Sequence, residues 1–272
     1  MADVLPITLL VIARNEAAHI ARCLNSVPFA AEKIVVDSGS TDGTQQIARE
    51  CGARVVEQSW LGFGPQRNFA STQATHDWIL ALDADEELTP ALSAELIREL
   101  PALQASNAAG AILRREAWYM GDRMRWYRPM VGEQLGRLYH RGRARWTDVR
   151  VHESLRFEGA TRTFREPFRH HHNPTLVHKH LKMLMYAELK LLDRLDRKRS
   201  AQMWLTPFVG FAAFFKDYVL RLAFLDGWRG YVVARVAASY AVYKRMRYYE
   251  MLRNPESVEL GRAQLRRHSL DS

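Results

Sequence analysis

The stretch Ile79-Leu80-Ala81-Leu82-Asp83-Ala84-Asp85-Glu86 decides the fold, because an apolar strand runs straight into a cluster of carboxylates. A buried strand holds the residues that follow it at the edge of a sheet, and open α/β sheets bind ligands at that edge. Two aspartates there can hold a divalent cation and, through it, a diphosphate. The alternative is an acidic loop that caps the next helix, for which Thr89-Pro90 is a suitable start.

The chain around this stretch alternates between strands and helices over its first 116 residues. Such alternation predicts an α/β fold with a doubly wound, mainly parallel sheet and right-handed crossovers. The predicted strands are Ile7–Ala13, Lys33–Asp37, Arg54–Gln58, Trp78–Leu82 and Ala111–Arg115, and the predicted helices are Glu16–Val27, 43–51, Gln66–Gln73 and Thr89–Leu100.

The pattern changes twice after this α/β part. Residues 117–172 break into short strands and loops rich in arginine and aromatic side chains, and we expect them to lie over the sheet edge as the acceptor-side part of the same domain. Residues 173–272 predict a C-terminal helical extension, with long apolar helices over Trp204–Leu225 and Trp228–Met251.

The net charge of +9 is unevenly distributed. Residues 1–100 carry a net charge of −7, residues 101–172 carry +7, and residues 173–272 carry +9. A basic rear half suggests an anionic membrane surface, a nucleic acid or an anionic acceptor as partner, or else a merely solvated basic surface.

The composition is that of a globular protein, with 47% hydrophobic and 25% charged residues. The two cysteines, Cys23 and Cys51, lie in predicted helices and lack C-x-x-C spacing, so we interpret them as reduced core residues. Because Leu5–Ala13 already has the pattern of a strand, no export signal is expected at the start, and the expected location is cytoplasmic.

The helical rear has features of a membrane-surface protein. The apolar run Pro207–Phe215 is about half the length of a spanning helix. Basic and aromatic residues alternate over Lys244–Tyr249, which fits a helix that lies in the membrane interface. The alternative is a helical hairpin that packs on the sheet or on a second subunit.

Four polar segments follow predicted strands and should converge at one sheet edge. Each has a plain explanation as turn chemistry, but their order between these strands is specific. Glycines permit tight turns, helix N-termini offer free N–H groups, and an arginine can reach a phosphate. The segments are Ala13–Glu16, Asp37–Thr44, Gly62–Asn68 and the pair Asp83 and Asp85.

This combination resembles the inverting family-2 glycosyltransferases of the GT-A fold, over about residues 5–160. The segment Trp146–Glu153 and the helical tail are similar, more narrowly, to the lipopolysaccharide-core β-1,4-glucosyltransferases of Gram-negative bacteria. The resemblance implies a GT-A fold, a nucleotide-sugar donor and an anionic glycolipid acceptor at the cytoplasmic face of the inner membrane.

The resemblance also implies roles for individual residues on the donor side. Ala13, Arg14 and Glu16 would hold the nucleoside, and Asp37 would pair with the base edge, uracil in a UDP-sugar. Arg67 would contact the donor phosphates or sugar, and Asp83 would lie by the ribose or sugar. The metal ligand would be Asp85, which would hold Mg²⁺ or Mn²⁺ across the diphosphate.

The catalytic base of such enzymes follows the sheet and is usually acidic, so Glu153 is the candidate, with Asp148 as second choice. The chain has His152-Glu153 where many family members have Glu-Asp. His152 is then a positioned core histidine or a further metal or phosphate ligand. The chemistry requires cations for the departing diphosphate and a carboxylate that takes the proton of the attacking hydroxyl.

The histidines of His170–His172 invite a metal interpretation, together with His178 and His180. Adjacent side chains in an extended segment point to opposite faces, so three in a row do not form one tripod. We expect one of them to line the diphosphate or acceptor cleft, and we do not expect a zinc site.

The arginines of residues 114–169 are interleaved with aromatic residues, for example Arg125-Trp126 and Tyr127-Arg128. This composition suits an anionic, sugar-bearing acceptor. Single-stranded nucleic acid would use similar residues, but the chain has no recognised nucleic-acid module, and we expect no nucleic-acid partner.

The expectation is therefore a non-processive, metal-dependent glycosyltransferase that moves a hexose, glucose from UDP-glucose, onto the lipopolysaccharide inner core. A dinucleotide oxidoreductase would require G-x-G-x-x-G after the first strand, where this chain has Ala13–Glu16. The remaining alternative is a non-catalytic basic protein, membrane- or nucleic-acid-binding, that keeps a sugar-nucleotide fold.

Overall fold

The computed structural model describes residues 4–128, 133–148, 154–172, 175–196, 202–261 and 263. The chain forms two compact units. The first comprises Met1–Ala117 and Gly132–His171, and the second comprises Trp118–Val131 and His172–Ser272. The predicted division into nucleotide-side, acceptor-side and membrane-side parts concerns function, and it stays a prediction.

The first unit is built on a large sheet. Its strands are β1 (Leu5–Ala13), β2 (Ala30–Asp37), β3 (Arg54–Glu57), β4 (Trp78–Asp83), β5 (Glu86–Leu88), β6 (Gly110–Tyr119), β7 (Asp122–Arg123), β8 (Glu133–His140) and β11 (Thr161–His172), and β9 (Ala144–Trp146) and β10 (Leu155–Phe157) form a separate hairpin. The order is β3-β2-β1-β4-β8-β6-β11-β5, with β7 paired to the end of β6.

The parallel strands all come from the predicted α/β part: β1 pairs with β2 and β4, and β2 pairs with β3. The predicted strand Ala111–Arg115 lies in β6, which instead pairs antiparallel with β8. Later strands add antiparallel pairs, β8 with β4 and β6, and β11 with β5. The α/β class and the mainly parallel sheet are confirmed. The antiparallel strands β8 and β11 lie in residues 117–172, for which the sequence predicted only short strands and loops.

Helices cover both faces of this sheet. The helices of the first unit are α1 (Ile20–Asn25), α2 (Thr44–Glu50), α3 (Phe63–Thr72) and α4 (Pro90–Ala105). One apolar core takes side chains from α1 and α4, such as Leu24 and Leu96, and the other takes them from α3 and from the β9–β10 hairpin, such as Ala70 and Trp146. Because β1 and β4 are covered on both faces, they are almost continuously apolar.

The register of the parallel strands brings their carboxyl ends together. Ala13 lies opposite Asp37 between β1 and β2, and Ile12 lies opposite Asp83 between β1 and β4. The loops that follow these three strands therefore start from one edge of the sheet, as the sequence predicts.

Three helix bounds differ from the prediction by three residues or more. α3 begins at Phe63 rather than Gln66. α1 begins at Ile20 rather than Glu16, because the residues before it form a turn in which the N–H groups of His19 and Ile20 donate to the Glu16 carbonyl oxygen, while side chains of the neighbouring loop bind the backbone N–H groups of residues 15–17. α4 continues through Pro101 to Ala105, although proline removes a helical hydrogen bond. Leu100 and Leu103 on either side of Pro101 are buried in the core, and this packing favours the longer helix.

The second unit is helical, with α5 (Leu176–Asp196), α6 (Thr206–Phe215) and α7 (Gly227–Arg253). The predicted helical segment Trp204–Leu225 is helical from Met203 to Leu220 but is interrupted near its end. After α6 the chain makes a π-helical turn over Lys216–Leu220 and a 3₁₀ turn over Ala223–Asp226, with Leu222 at a left-handed φ of 60°. We call residues 216–226 the corner.

A glycine lets the corner contact α7 closely. A Cβ atom on Gly230 would lie 1.6 Å from the carbonyl oxygen of Ala223, so only glycine fits there without a backbone shift. The chain can then reverse tightly between α6 and α7.

The end of α7 packs on α5. Arg247 is buried and donates from Nε to Glu188 Oε1 at 2.7 Å and from Nη2 to the Ser257 carbonyl oxygen at 2.7 Å. Tyr248 is fully buried beside Leu191. These two side chains of the Lys244–Tyr249 stretch therefore face protein, and the membrane contact predicted for the stretch stays a prediction for its other side chains.

Among the residues described, no helix combines the length and the apolar composition that crossing a bilayer requires.

Candidate functional site

The loops after β1 and β2 are joined by side chain to backbone hydrogen bonds. The polar side chains of the second loop accept hydrogen bonds from backbone N–H groups of the first loop, in which Asn15 takes a left-handed φ of 53°. The bonds are Asn15 N–H to Ser40 Oγ at 2.9 Å, Glu16 N–H to Thr44 Oγ1 at 2.8 Å, Ala17 N–H to Asp42 Oδ2 at 3.0 Å, and Thr41 N–H to Asn15 Oδ1 at 2.9 Å.

Asp37 holds the second loop together from inside. Its buried carboxylate accepts hydrogen bonds from the backbone of Gly39 at 3.0 Å and of Ser40 at 2.9 Å, from Ser40 Oγ at 2.5 Å and from Gln45 Nε2 at 2.8 Å. A contact with a nucleotide base would have to replace or share one of these bonds. The predicted contact between Asp37 and the base stays a prediction.

The other predicted nucleoside contacts lie at the same edge. The carbonyl oxygen of Ala13 accepts the N–H of Ser38 at 3.0 Å, so this backbone group already serves the junction of the two loops. Arg14 is exposed and Glu16 is half-buried. The structure brings Ala13, Arg14 and Glu16 together with Asp37, as predicted from their positions after β1 and β2.

Two arginines bracket Asp83 at the end of β4. Arg67 of α3 donates from Nη2 to Asp83 Oδ1 at 2.5 Å, and Arg137 of β8 donates from Nη2 to Asp83 Oδ2 at 2.8 Å. Burial alone would raise the pKa of Asp83, but the charges of Arg137 and Arg67 outweigh it and hold that pKa well below its usual 3.8. Asp83 is therefore ionised.

Glu86 completes this cluster. It is buried, accepts from Arg137 Nη2 at 2.6 Å, and also accepts the backbone N–H of Asp83 at 3.0 Å. Burial raises the pKa of Glu86 against the opposing charge of Arg137. One guanidinium therefore ties two carboxylates to the carboxyl end of β4.

Arg67 is fixed by the residues around it. Its guanidinium lies over the ring of Trp146, 4.6 Å from the centroid. The neighbouring Asn68 binds the Trp146 backbone through both amide atoms, at 2.9 Å and 3.0 Å. The predicted phosphate contact of Arg67 stays a prediction, because in this structure the buried guanidinium faces Asp83 and Trp146.

Asp85 lies next to a histidine of β11. His170 Nε2 is 3.1 Å from Asp85 Oδ2, and the backbone N–H of His171 donates to the Asp85 carbonyl oxygen at 2.9 Å. The Asp85 carboxylate is the kind of oxygen ligand that Mg²⁺ or Mn²⁺ takes when a diphosphate and water supply the others, and the adjacent His170 imidazole can orient it. Across the described ranges, no group of three or more His, Cys, Asp or Glu side chains is arranged to hold a metal by itself.

A second charged network adjoins this pair. Glu87 contacts Arg22 at 3.3 Å, Arg169 at 3.1 Å and His171 Nε2 at 3.2 Å. Burial and the charge of Arg22 lower the pKa of His171. His170 and His171 thus point to different carboxylates, as expected of neighbours in a strand.

The candidate catalytic bases differ in whether they lie among the described residues. Glu153 and His152 lie outside the described residues. Asp148 is exposed and lies in an open groove of about 940 Å³ between α3 and β9. Its position follows from Gly64, because a Cβ there would lie 1.9 Å from the carbonyl oxygen of Thr147, so only glycine lets this segment approach α3.

The sequence interpretation missed three residues of the cluster, namely Glu86, Arg137 and Trp146. Glu86 stands in the acidic run that opened the argument, and its near-total burial separates it from its neighbours. Arg137 and Trp146 belong to an arginine- and aromatic-rich region where no spacing distinguishes them from neighbouring residues. The pairing of β8 with β4 brings Arg137 to Asp83, and the bonds between Asn68 and the Trp146 backbone bring Trp146 to Arg67.

The chain is similar to known glycosyltransferases. The family model "Glycosyl transferase family 2" matches residues 8–165. The lipopolysaccharide core biosynthesis glycosyltransferase LpsC of Rhizobium meliloti is 30% identical over 269 residues, which cover 92% of this chain and 94% of that protein. An uncharacterized glycosyltransferase of Rickettsia felis is 50% identical over 91 residues, 33% of this chain and 32% of that one.

A solved structure matches part of the chain. It is the glucosyl-3-phosphoglycerate synthase of Mycobacterium tuberculosis in complex with Mn²⁺, UDP and glucosyl-3-phosphoglycerate. The two are 26% identical with a TM-score of 0.33, over 42% of this chain and 44% of the synthase.

Proposed function

The chain belongs to glycosyl transferase family 2 and is a glycosyltransferase, and we propose that it moves glucose from UDP-glucose onto the inner core of lipopolysaccharide or a related membrane glycolipid. The similarity to LpsC over nearly the whole of both chains supports this acceptor class. Membership of the family sets aside the alternative of a non-catalytic binding protein.

The observation that carries the proposal is the pair of carboxylates at the end of β4. Asp83 is held ionised between two arginines, and Asp85 lies 3.1 Å from His170. These observations support a donor site at this edge of the sheet, where a cation held by Asp85 would meet the charge of a leaving diphosphate.

Asp85, with His170 beside it, would hold Mg²⁺ or Mn²⁺, and the bound ion supplies positive charge to the diphosphate oxygens. Asp83 would accept a hydrogen bond from a ribose or sugar hydroxyl, since an ionised carboxylate has lone pairs beyond those that Arg67 and Arg137 use. The two arginines fix its orientation and favour its ionised form.

The loops after β1 and β2 would receive the nucleoside. Their mutual hydrogen bonds hold Ala13, Arg14 and Glu16 in place without a ligand, so little ordering is needed on binding. Asp37 would contribute to base recognition through the loop whose shape it fixes.

The acceptor hydroxyl attacks the anomeric carbon, its proton passes to a carboxylate, and the bond from that carbon to the diphosphate oxygen breaks. We assign the proton to Glu153, with Asp148 as second choice. Inversion at the anomeric carbon follows from this single displacement.

We place the enzyme in the cytoplasm, peripheral to the inner membrane. The second unit carries 21 basic and 10 acidic side chains, a net charge of +11, whereas the first carries 18 and 20, a net charge of −2. A basic unit is attracted to the anionic lipids of that face and to an anionic glycolipid.

The test is a thermal-shift screen of the purified protein with UDP-, GDP-, TDP- and ADP-sugars, with and without Mn²⁺. A ligand that binds only the folded state raises the melting temperature. We expect the largest shift with UDP-glucose plus Mn²⁺, lost in Asp85→Asn and kept in Asp77→Asn. Equal shifts with all four donors, or none, would contradict the proposal.

A further inference from the structure

The second unit exposes a stripe of aromatic side chains on α6 and the turn before it. Trp204, Phe208, Phe211 and Phe215 recur every three or four residues and so lie on one face of the helix. Phe208 is 65% exposed and Phe211 is 71% exposed. Large apolar side chains gathered on one face indicate an interaction surface rather than scattered surface residues.

The corner continues this stripe. Phe224 and Leu225 are exposed, and Trp228 at the start of α7 is 57% exposed. Ring contacts join α6, the corner and α7: Phe214 lies 5.0 Å from Tyr218 and 5.9 Å from Tyr231, and Tyr218 lies 6.1 Å from Tyr231 and 6.2 Å from Phe224. We call the aromatic surface the exposed residues Phe208, Phe211, Phe215, Phe224, Leu225 and Trp228.

A loop with exposed arginines is fastened beside the corner. The carboxylate of Asp226 accepts the backbone N–H groups of Arg125 at 2.8 Å, of Trp126 at 3.1 Å and of Tyr127 at 2.7 Å. The N–H of Arg128 donates to the carbonyl oxygen of Arg221 at 2.9 Å. Trp126 and the side chains of Arg125 and Arg128 are exposed there.

We propose that the aromatic surface inserts into the interface of an anionic lipid bilayer, with Trp126 at headgroup depth and Arg125 and Arg128 against lipid phosphates. The inference rests on the proposed function only for the presence of a membrane. Tryptophan and tyrosine favour the membrane–water interface, apolar rings enter the acyl boundary, and basic residues attract anionic lipids.

The charge of the surroundings favours a lipid partner over a second copy of the chain. A symmetric contact through the aromatic surface would bring two sets of exposed arginines together, on units that each carry a net charge of +11. An anionic bilayer presents the opposite charge to the same arginines.

The test uses the full-length protein and vesicles of phosphatidylethanolamine with phosphatidylglycerol, compared with vesicles of phosphatidylcholine. Phe208→Ser/Phe211→Ser should weaken binding to the anionic vesicles by at least about tenfold, because the apolar area of two rings would no longer be buried in the bilayer. Arg125→Gln/Arg128→Gln should weaken binding to anionic vesicles several-fold and reduce its salt dependence, with little effect on phosphatidylcholine.

The matched control is Met246→Ser/Leu252→Ser, which removes exposed apolar side chains from the other end of α7. The control should bind vesicles like the wild type. All variants should keep the wild-type melting temperature and its shift with UDP and Mn²⁺, because none of the substituted residues belongs to the proposed donor site.

Unchanged vesicle binding by Phe208→Ser/Phe211→Ser would overturn the inference. A dimer in lipid-free solution that these substitutions convert to a monomer, with vesicle binding intact, would assign the surface to a second copy instead. Vesicle binding without any nucleotide-sugar binding would contradict the proposed function alone. Transfer to an acceptor by a protein that ignores vesicles would contradict this inference alone.

Discussion

The proposed donor site in the first unit and the proposed lipid-binding surface in the second use the same residue types in opposite ways. In the first unit, arginines such as Arg67 and Arg137 are buried and paired with carboxylates, and the unit is nearly neutral. In the second, Arg125 and Arg128 are exposed beside aromatic rings, and the unit carries a net charge of +11. Buried pairs fix a site, whereas exposed cations attract a charged partner.

The difference teaches that the place of a side chain in the structure, not the composition of its unit, decides whether it serves the donor site or membrane binding. Basic and aromatic residues occur in both units, at Arg67 over Trp146 and at Arg125 beside Trp126. Changes at buried pairs should therefore affect stability and activity, and changes at exposed ones should affect membrane binding.

The largest expected effect comes from the buried guanidinium of Arg137. Arg137→Met leaves Glu86 buried without its cation and should lower the free energy of unfolding by about 3–5 kcal/mol, measured by urea denaturation. Adding Glu86→Leu should recover most of the loss. The control Arg54→Met breaks an exposed pair with Glu32 and should cost less than about 1 kcal/mol; equal losses for the two arginines would contradict this.

Next is the carboxylate beside His170. Asp85→Asn should reduce release of UDP from UDP-glucose in the presence of lipopolysaccharide core by about 10²–10³-fold, because charge stabilisation of the leaving diphosphate is lost. Vesicle binding should not change. Asp77→Asn, just before the other end of β4, is the control and should retain activity; equal loss in both variants would argue against a specific site.

A moderate effect is expected at the corner. Gly230→Ala places a Cβ 1.6 Å from the carbonyl oxygen of Ala223 and should destabilise the protein by about 1–3 kcal/mol and weaken vesicle binding. The thermal shift with UDP should remain. Gly142→Ala, whose Cβ would lie 3.4 Å from the His140 ring, should be nearly neutral. If Gly230→Ala bound vesicles as strongly as the wild type, the shape of the corner would not matter for membrane binding by the aromatic surface.

The smallest effect is a pH dependence. The pKa of Asp83 is lower in the folded state, so its ionised form favours folding above its usual value of 3.8, and this contribution is lost as the pH falls toward the folded-state pKa. The stability difference between wild type and Asp83→Asn should therefore shrink below about pH 4, as urea denaturation at several pH values will measure. A difference that grows on acidification would mean that Asp83 is not held ionised.

The local pattern of apolar and polar residues was sufficient to predict the parallel strands. The strands around Ile12, Val36 and Leu82 are apolar runs that end in polar loops, and their register brings Asp37 and Asp83 to one edge as expected. The start of α1 and the course of α4 past Pro101 depend on distant side chains, so helix rules alone placed them wrongly.

The site was predictable only in part for the same reason. Asp83 and Asp85 stand in a recognisable motif, whereas Arg137 reaches Asp83 only because β8 pairs with β4, a contact between residues 54 positions apart. Likewise, the membrane prediction chose Lys244–Tyr249 from its alternation of basic and aromatic residues. The partner helix α5, which buries Tyr248, could not be inferred from that stretch.

Calorimetry of UDP binding to the wild type and to Asp85→Asn, with Mn²⁺ and with a chelator, tests the central claim most directly. If Asp85 holds a cation that meets the diphosphate, the wild type should bind UDP at least about tenfold more tightly with Mn²⁺, and Asp85→Asn should show no such gain. A UDP affinity that is the same with metal and with chelator in the wild type would contradict the account.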